Sequence, residues 1–156
     1  MLFEEKEITI FTDLSDEEKG KFLETCREAD VAKGEMVLEE GQMTRSLFVI
    51  KKGEVAVTLN INGIKYEIIK MGDNDFFGEM SFLDGKMHSA NVEATEDTTL
   101  YIIRKFSFDR FAKSNPEASR KIYENIIKNL LFRLRNANKI IKELKEKVSE
   151  EDNSVQ

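Results

Sequence analysis

The sequence predicts a mainly β domain, a barrel or sandwich of short strands with helices on either side and one long helix towards the C-terminal end. Three observations predict it. Between residues 30 and 104, Val- and Ile-rich runs are broken by Gly34, Gly41, Gly53, Gly63, Gly72, Gly78 and Gly85, a spacing of short strands and tight turns rather than of alternating βαβ units. From residue 117 to 148 there is neither Gly nor Pro, and apolar residues recur at intervals of three and four, the period of an amphipathic helix. Ahead of the strands, Ser15 stands three residues before Glu18, the spacing of a capping box at a helix start.

The elements follow in order. The first helix begins after Ser15 and presents Phe22 and Leu23 as its apolar face, with Phe11 and Leu14 just ahead of the cap. Ser46-Leu47-Phe48-Val49-Ile50 reads as one strand and Val55-Ala56-Val57-Thr58-Leu59 as the next, joined through Lys52-Gly53-Glu54. Asn62-Gly63 separates Asn60-Ile61 from Ile64-Tyr66 by way of Lys65; both turn residues tolerate positive φ, which a type I′ hairpin turn requires. Thr99-Leu100-Tyr101-Ile102-Ile103 is the last strand. A short helix over 106–112 precedes Asn115-Pro116, which start the long helix with Asn as cap and Pro at the first helical position. Three parts are expected: a barrel with its N-terminal helix over 1–114, the long helix over 115–149, and a polar, frayed tail over 150–156.

The long helix carries a heptad seam. Tyr123, Ile127, Leu130, Leu134, Ala137, Ile141, Leu144 and Val148 fall at spacings of three and four, and a second stripe of Ile122, Ile126, Leu131 and Ile140 widens the apolar face. A helix that touches its own barrel at the start and a twin helix further on accounts for both stripes, so a homodimer through residues 123–148 is expected. Over 117–148 nine Lys/Arg stand against four Glu, a basic surface that serves as a solvated face.

Composition excludes several classes. The net charge of −6 disfavours non-specific nucleic-acid binding. Cys26 is the only cysteine and His88 the only histidine, which rules out an intramolecular disulfide or CxxC site and a His-based metal cluster. The start Met-Leu-Phe-Glu-Glu-Lys is charged at once, unlike a signal peptide, and no apolar run approaches the roughly 20 residues of a membrane span; a cytoplasmic protein with no membrane contact is expected. Carboxylates are plentiful, but no nucleophile–base pair or P-loop accompanies them, so no enzyme is expected. No helix-turn-helix pattern follows the long helix, so no DNA contact is expected either.

Phe76-Phe77-Gly78-Glu79-Met80-Ser81-Phe82-Leu83-Asp84-Gly85 leads into Lys86-Met87-His88-Ser89-Ala90-Asn91-Val92-Glu93-Ala94. This segment resembles the phosphate-binding cassette of the cyclic nucleotide-binding domain family, as in bacterial catabolite activators and eukaryotic kinase regulatory subunits. The family pattern is Phe-Gly-Glu, a short helix, a Gly, then Arg, a small residue, Ala and a Val/Ala strand. Asp13-Leu14-Ser15, Lys33-Gly34-Glu35, Glu40-Gly41, Phe48-Val49-Ile50-Lys51-Lys52-Gly53 and Asn115-Pro116-Glu117 spread the resemblance over almost the whole chain. It implies a double-stranded β-helix (jelly-roll) barrel of the cyclic nucleotide-binding type plus a long C-terminal helix. It also implies a ligand site of Gly78, Glu79, Met80, His88, Ser89 and Ala90. By the resemblance, the Glu79 carboxylate accepts the ribose hydroxyl, and the Ser89 hydroxyl and the Ala90 N–H donate to the phosphate. The chemistry is sound in itself: a helix starting near Glu79 aims its first N–H groups at an anion, and Gly78 lets backbone approach closely.

One departure stands out. The pattern's arginine lies nine residues after the Glu, where this chain has His88. Arginine holds a phosphate bidentately and is always charged, whereas histidine is mostly neutral above pH ~6.5. Losing one charge-assisted contact costs about 1.5–3 kcal/mol, or roughly one to two decades of affinity. The expected function is therefore a stand-alone sensor of cAMP or cGMP, weak in affinity, that signals through a dimer interface to an effector protein. One alternative is a barrel that binds no ligand and serves as a dimerisation or interaction module. A second rests on Met87-His88-Ser89 and Val92-Glu93-Ala94-Thr95-Glu96, similar to the segment around the haem ligand of bacterial carbon-monoxide-sensing regulators in the same superfamily; it would make His88 a haem ligand. Retention of Gly78-Glu79 and the lack of a second histidine weigh against haem. For the base, no Ser or Thr stands between residues 120 and 148; Asn129, Arg133 and Asn136 are the candidates, and no motif selects among them.

Overall fold

A computed structural model describes residues 8–155. The chain runs α1 (Asp16–Glu24), β1 (Arg27–Val31), β2 (Met36–Leu38), β3 (Ser46–Lys52), β4 (Val55–Ile61), β5 (Ile64–Met71), β6 (Phe76–Phe77), α2 (Glu79–Asp84), β7 (Asn91–Ala94), β8 (Thr98–Arg104), α3 (Lys105–Ser114) and α4 (Pro116–Ser154). The strands pair antiparallel into two four-stranded sheets, β1-β8-β3-β6 and β2-β7-β4-β5. This eight-stranded, two-sheet order is that of a jelly roll, the class the sequence implies.

The run Ser46-Leu47-Phe48-Val49-Ile50 is apolar without alternation because both faces of β3 are covered. Phe48 and Ile50 point between the sheets, where they meet Leu38, Val55, Phe77 and Leu100. Leu47 and Val49 point to a second core, where Phe22, Phe82, Phe108 and Phe111 pack under Ile122 and Ile126 of α4. In that second core Phe108 meets Phe82 and Tyr123 edge-on, with ring centroids 5.4 Å and 5.2 Å apart. The helices are thus anchored to the barrel by aromatic packing.

Local chemistry sets the boundaries. The Ser15 hydroxyl accepts from the Glu18 N–H, and the Glu18 carboxylate accepts from the Ser15 N–H, the expected capping box. Asn62 and Gly63 take φ of 53° and 80°, the left-handed pair that a type I′ turn demands. Asn115 departs from expectation. It holds the N-cap position of α4 but its side chain makes no cap bond there; its amide donates to the Phe111 carbonyl at 3.1 Å, because α3 ends there and its last carbonyls need donors. Pro116 still opens α4 at the first turn.

The long helix divides in two. Ala118, Ile122 and Ile126 are buried in the core, and the Asn125 amide donates to the Ile10 and Thr12 carbonyls at 3.0 and 2.8 Å. Tyr123 and Leu130, placed in the heptad seam by spacing, pack against this core instead; Leu131, from the second stripe, faces out. Beyond residue 140 every described residue is exposed. The helix also continues to Ser154, past the expected end at 149, since nothing in Glu150-Glu151-Asp152-Asn153 breaks it as Gly or Pro would.

Candidate functional site

The turn from β6 into α2 builds the site. Phe77 pairs with Phe48 across the sheet, and their rings stack at 5.1 Å. Gly78 follows with φ 79°; a Cβ there would lie 2.9 Å from the Ser46 carbonyl oxygen and 2.9 Å from the Phe48 ring, so only glycine fits both the conformation and the space. The chain then turns into α2, which is pinned through Phe82 to the helical core and ended by Gly85, whose N–H donates to the Ser81 carbonyl at 2.8 Å.

All six residues singled out in the sequence, Gly78, Glu79, Met80, His88, Ser89 and Ala90, line one cavity of about 70 Å³. Leu38, Val57, Met71 and Val92 give it an apolar wall. Glu79 is buried, at 1% exposure, whereas Met80 and Ser89 face solvent. Met87 is exposed and Phe82 fully buried; neither lines the cavity.

A buried carboxylate needs a partner. Glu79 has Arg133, whose guanidinium donates to its Oε1 and, at 3.3 Å, to the Phe76 carbonyl. Sequence reasoning placed Arg133 among the base contacts rather than here. The signal was present: residues 122, 126, 129 and 133 form one stripe at helical spacing, so an arginine in it faces the barrel and must find an acid.

His88 sits at the cavity edge, 8% exposed. Its backbone is fixed by bonds to Gln42 and Gly41, and its Nε2 lies 3.0 Å from the Thr44 hydroxyl. Burial holds its pKa below the ordinary histidine value, which favours the neutral imidazole. The residues do not fit haem: Nε2 is engaged by Thr44, and a cavity of about 70 Å³ cannot seat a macrocycle. Among the described residues no cluster of three His, Cys, Asp or Glu side chains could hold a metal.

A second chamber of about 170 Å³ lies between the β4–β5 hairpin and α4. Val57, Met71 and Arg133 line both chambers, so they are adjacent and share one wall.

Residues 28–115 match the family profile described as "Cyclic nucleotide-binding domain". The chain belongs to the cyclic nucleotide-binding domain family. A cGMP-dependent protein kinase of Drosophila melanogaster is 26% identical over 116 residues, 72% of this chain and 12% of that protein. A cAMP-dependent protein kinase regulatory subunit of Debaryomyces hansenii is 25% identical over 105 residues, 67% of this chain and 23% of that protein. The chain thus spans less than a quarter of either relative. Among solved structures, the catabolite activator protein of Thermus thermophilus superposes with a TM-score of 0.78 at 25% identity, over 87% of this chain and 62% of that one. A cyclic nucleotide-binding domain from Methylobacillus flagellatus gives 0.78 at 26% identity, over 87% and 78%. No described helix is long and apolar enough to cross a membrane.

Proposed function

We propose that this domain binds a cyclic purine nucleotide weakly and reports its presence through α4 to a second copy of the chain and to an effector protein. The carrying observation is the ion pair between Arg133 of α4 and the buried Glu79. A ribose hydroxyl donating to Glu79 joins a carboxylate that α4 already holds, so occupancy bears directly on the helix. Gly78, Met80, Ser89 and Ala90 supply the rest of the cassette, and His88 takes the place of the pattern's arginine. With a neutral imidazole there, one charge-assisted phosphate contact is missing, which supports a dissociation constant on the order of micromolar or weaker rather than nanomolar.

Two features support the second copy. Ile127, Leu134, Ile141, Leu144 and Val148 repeat along the outer face of α4, each more than half exposed, at a coiled-coil spacing. A contiguous apolar stripe of this kind marks an interaction surface. The sensor role itself is tested by calorimetry with cAMP and cGMP, followed by sedimentation velocity with and without the nucleotide that binds. Measurable heat for either nucleotide, abolished by Glu79→Ala, supports the sensor.

The small cassette cavity, with Glu79 already paired, favours a second role: a dimerisation or interaction module that takes no ligand. No heat from either nucleotide at millimolar concentration, with self-association intact, supports that role.

A further inference from the structure

The cassette cavity measures about 70 Å³, well under the ~150 Å³ that takes one benzene. A ribose with its cyclic phosphate therefore enters only where a wall gives way. Leu38, Met71, Phe77 and Val92 are core residues, and Met80 already faces solvent. Arg133 is the wall that can move. Its side chain is 30% exposed, and Glu79 is its one charged partner; its other contacts, to the Phe76 carbonyl and the Met71 sulfur, are long at 3.3 and 3.5 Å.

One turn before Arg133 on α4 stands a side chain with its bonding capacity unused. Asn129 is 1% exposed, and neither its carboxamide oxygen nor its nitrogen has a hydrogen-bond partner. A carboxamide enclosed in this way costs free energy for as long as it stays unpaired. Thr58 is the other buried side chain with an unpaired polar atom among the described residues, but it alternates with Val57 along β4 and points away from the cavity. Asn125, a turn further back, is committed to the Ile10 and Thr12 carbonyls. Residues four apart on a helix have Cβ atoms about 5–6 Å apart. Long side chains also lean back towards the helix N-terminus, which carries Arg133 over residue 129.

We infer that Asn129 is a positioning residue of the ligand site: its carboxamide oxygen accepts the Arg133 guanidinium when a ribose hydroxyl takes the guanidinium's place at Glu79. This rests on the ligand-binding proposal above. With Arg133 on Glu79, the cavity is small and Asn129 is unpaired. With Arg133 on Asn129, the carboxylate is open to the ribose and the carboxamide has gained a charge-assisted bond. The guanidinium falls back by only one turn, so a cation still stands near the buried carboxylate.

The test is whether one substitution reverses its sign. Asn129→Leu keeps the side-chain volume and removes the polar atoms, and is expected to raise the urea midpoint of the wild type by roughly 0.5 M. In Glu79→Leu, where Arg133 has lost its carboxylate and turns to Asn129, the same substitution is expected to lower the midpoint. Adding Arg133→Leu to Glu79→Leu is expected to restore the rise. Glu79→Ala serves as the background if Glu79→Leu does not fold. A change of the same sign in all three backgrounds overturns the assignment. Calorimetry with cAMP and cGMP reads the ligand's part. Asn129→Leu is expected to weaken binding roughly tenfold in the wild type and to leave it unchanged in Arg133→Leu; an equal loss in both overturns the assignment. If the wild type binds neither nucleotide, the sensor proposal falls, and the unfolding series, which needs no ligand, still decides whether Asn129 receives Arg133.

Discussion

The Arg133 guanidinium on the long helix closes onto the buried carboxylate of Glu79, 54 residues earlier in the chain. No other ion pair in the described structure has a partner as deeply buried as Glu79, at 2% side-chain exposure, while Arg133 keeps 30%. The pair therefore ties the cassette to α4 and leaves one of its two members wetted.

Breaking it from the helix side leaves a buried charge alone. Arg133→Leu is expected to destabilise the fold by about 2 kcal/mol, below the ~3–5 typical of a fully buried pair because Arg133 is partly solvated. Glu79→Gln combined with Arg133→Leu should recover part of that loss, since no uncompensated charge then remains. Urea unfolding of both variants measures this; a double variant no more stable than Arg133→Leu would contradict the pairing as the cause.

The His88 site gives two pH effects of opposite direction. Burial lowers the His88 pKa in the folded domain. The folded state then binds fewer protons than the unfolded one, and stability falls as pH drops through the ordinary histidine range near ~6.5 towards the lowered folded value. Ligand binding should instead strengthen as pH falls, because only the imidazolium pairs with a phosphate. His88→Arg should bind cAMP roughly tenfold more tightly and lose the pH dependence of binding. Calorimetry from roughly pH 5.5 to 8, which spans the ordinary histidine pKa of ~6.5, checks the binding effects, and urea unfolding over the same range checks stability; an arginine variant that binds no better points to a cassette that does not hold phosphate.

Self-association is expected to depend on the exposed stripe of α4. Leu134→Asp together with Ile141→Asp places charges at two exposed seam positions and should convert a dimer into a monomer with little change in the unfolding of the barrel, since neither side chain packs on the core. Sedimentation equilibrium distinguishes the outcomes. A wild-type chain that is monomeric at tens of micromolar would remove the basis for dimer signalling.

Gly78 is expected to tolerate no side chain. In Gly78→Ala a non-glycine residue would sit at φ 79° and push a Cβ to 2.9 Å from the Ser46 carbonyl. The left-handed conformation alone costs about 1–2 kcal/mol, and relief of the clash must shift the start of α2. A lowered melting temperature together with weaker nucleotide binding is the expected result, read by thermal unfolding and calorimetry.

Much of this fold was legible in the residues alone, because the signals were local. Ser15 and Glu18 cap each other across three residues, Asn62-Gly63 demands positive φ, and the glycine-punctuated runs can only be short strands; each is decided within one turn of chain. The cassette was legible for the same reason: Gly78, Glu79, His88, Ser89 and Ala90 lie within thirteen residues, and the fold gathers them around one cavity. The contacts that tertiary structure decided are those between segments far apart. Helical spacing places Tyr123 and Leu130 in the seam, but spacing does not say which stripe the barrel covers, and Phe108 with its neighbours takes both. Asn115 could bond forwards or backwards, and the end of α3 decides for backwards. Arg133, Asn129 and Asn136 are indistinguishable as polar residues on a buried stripe; only the docking of α4 on the barrel gives the first to Glu79, encloses the second, and opens the third to the chamber. Local backbone preferences act over a few residues and are written in them, whereas the partner of a buried polar group depends on packing between elements that no short stretch of sequence contains.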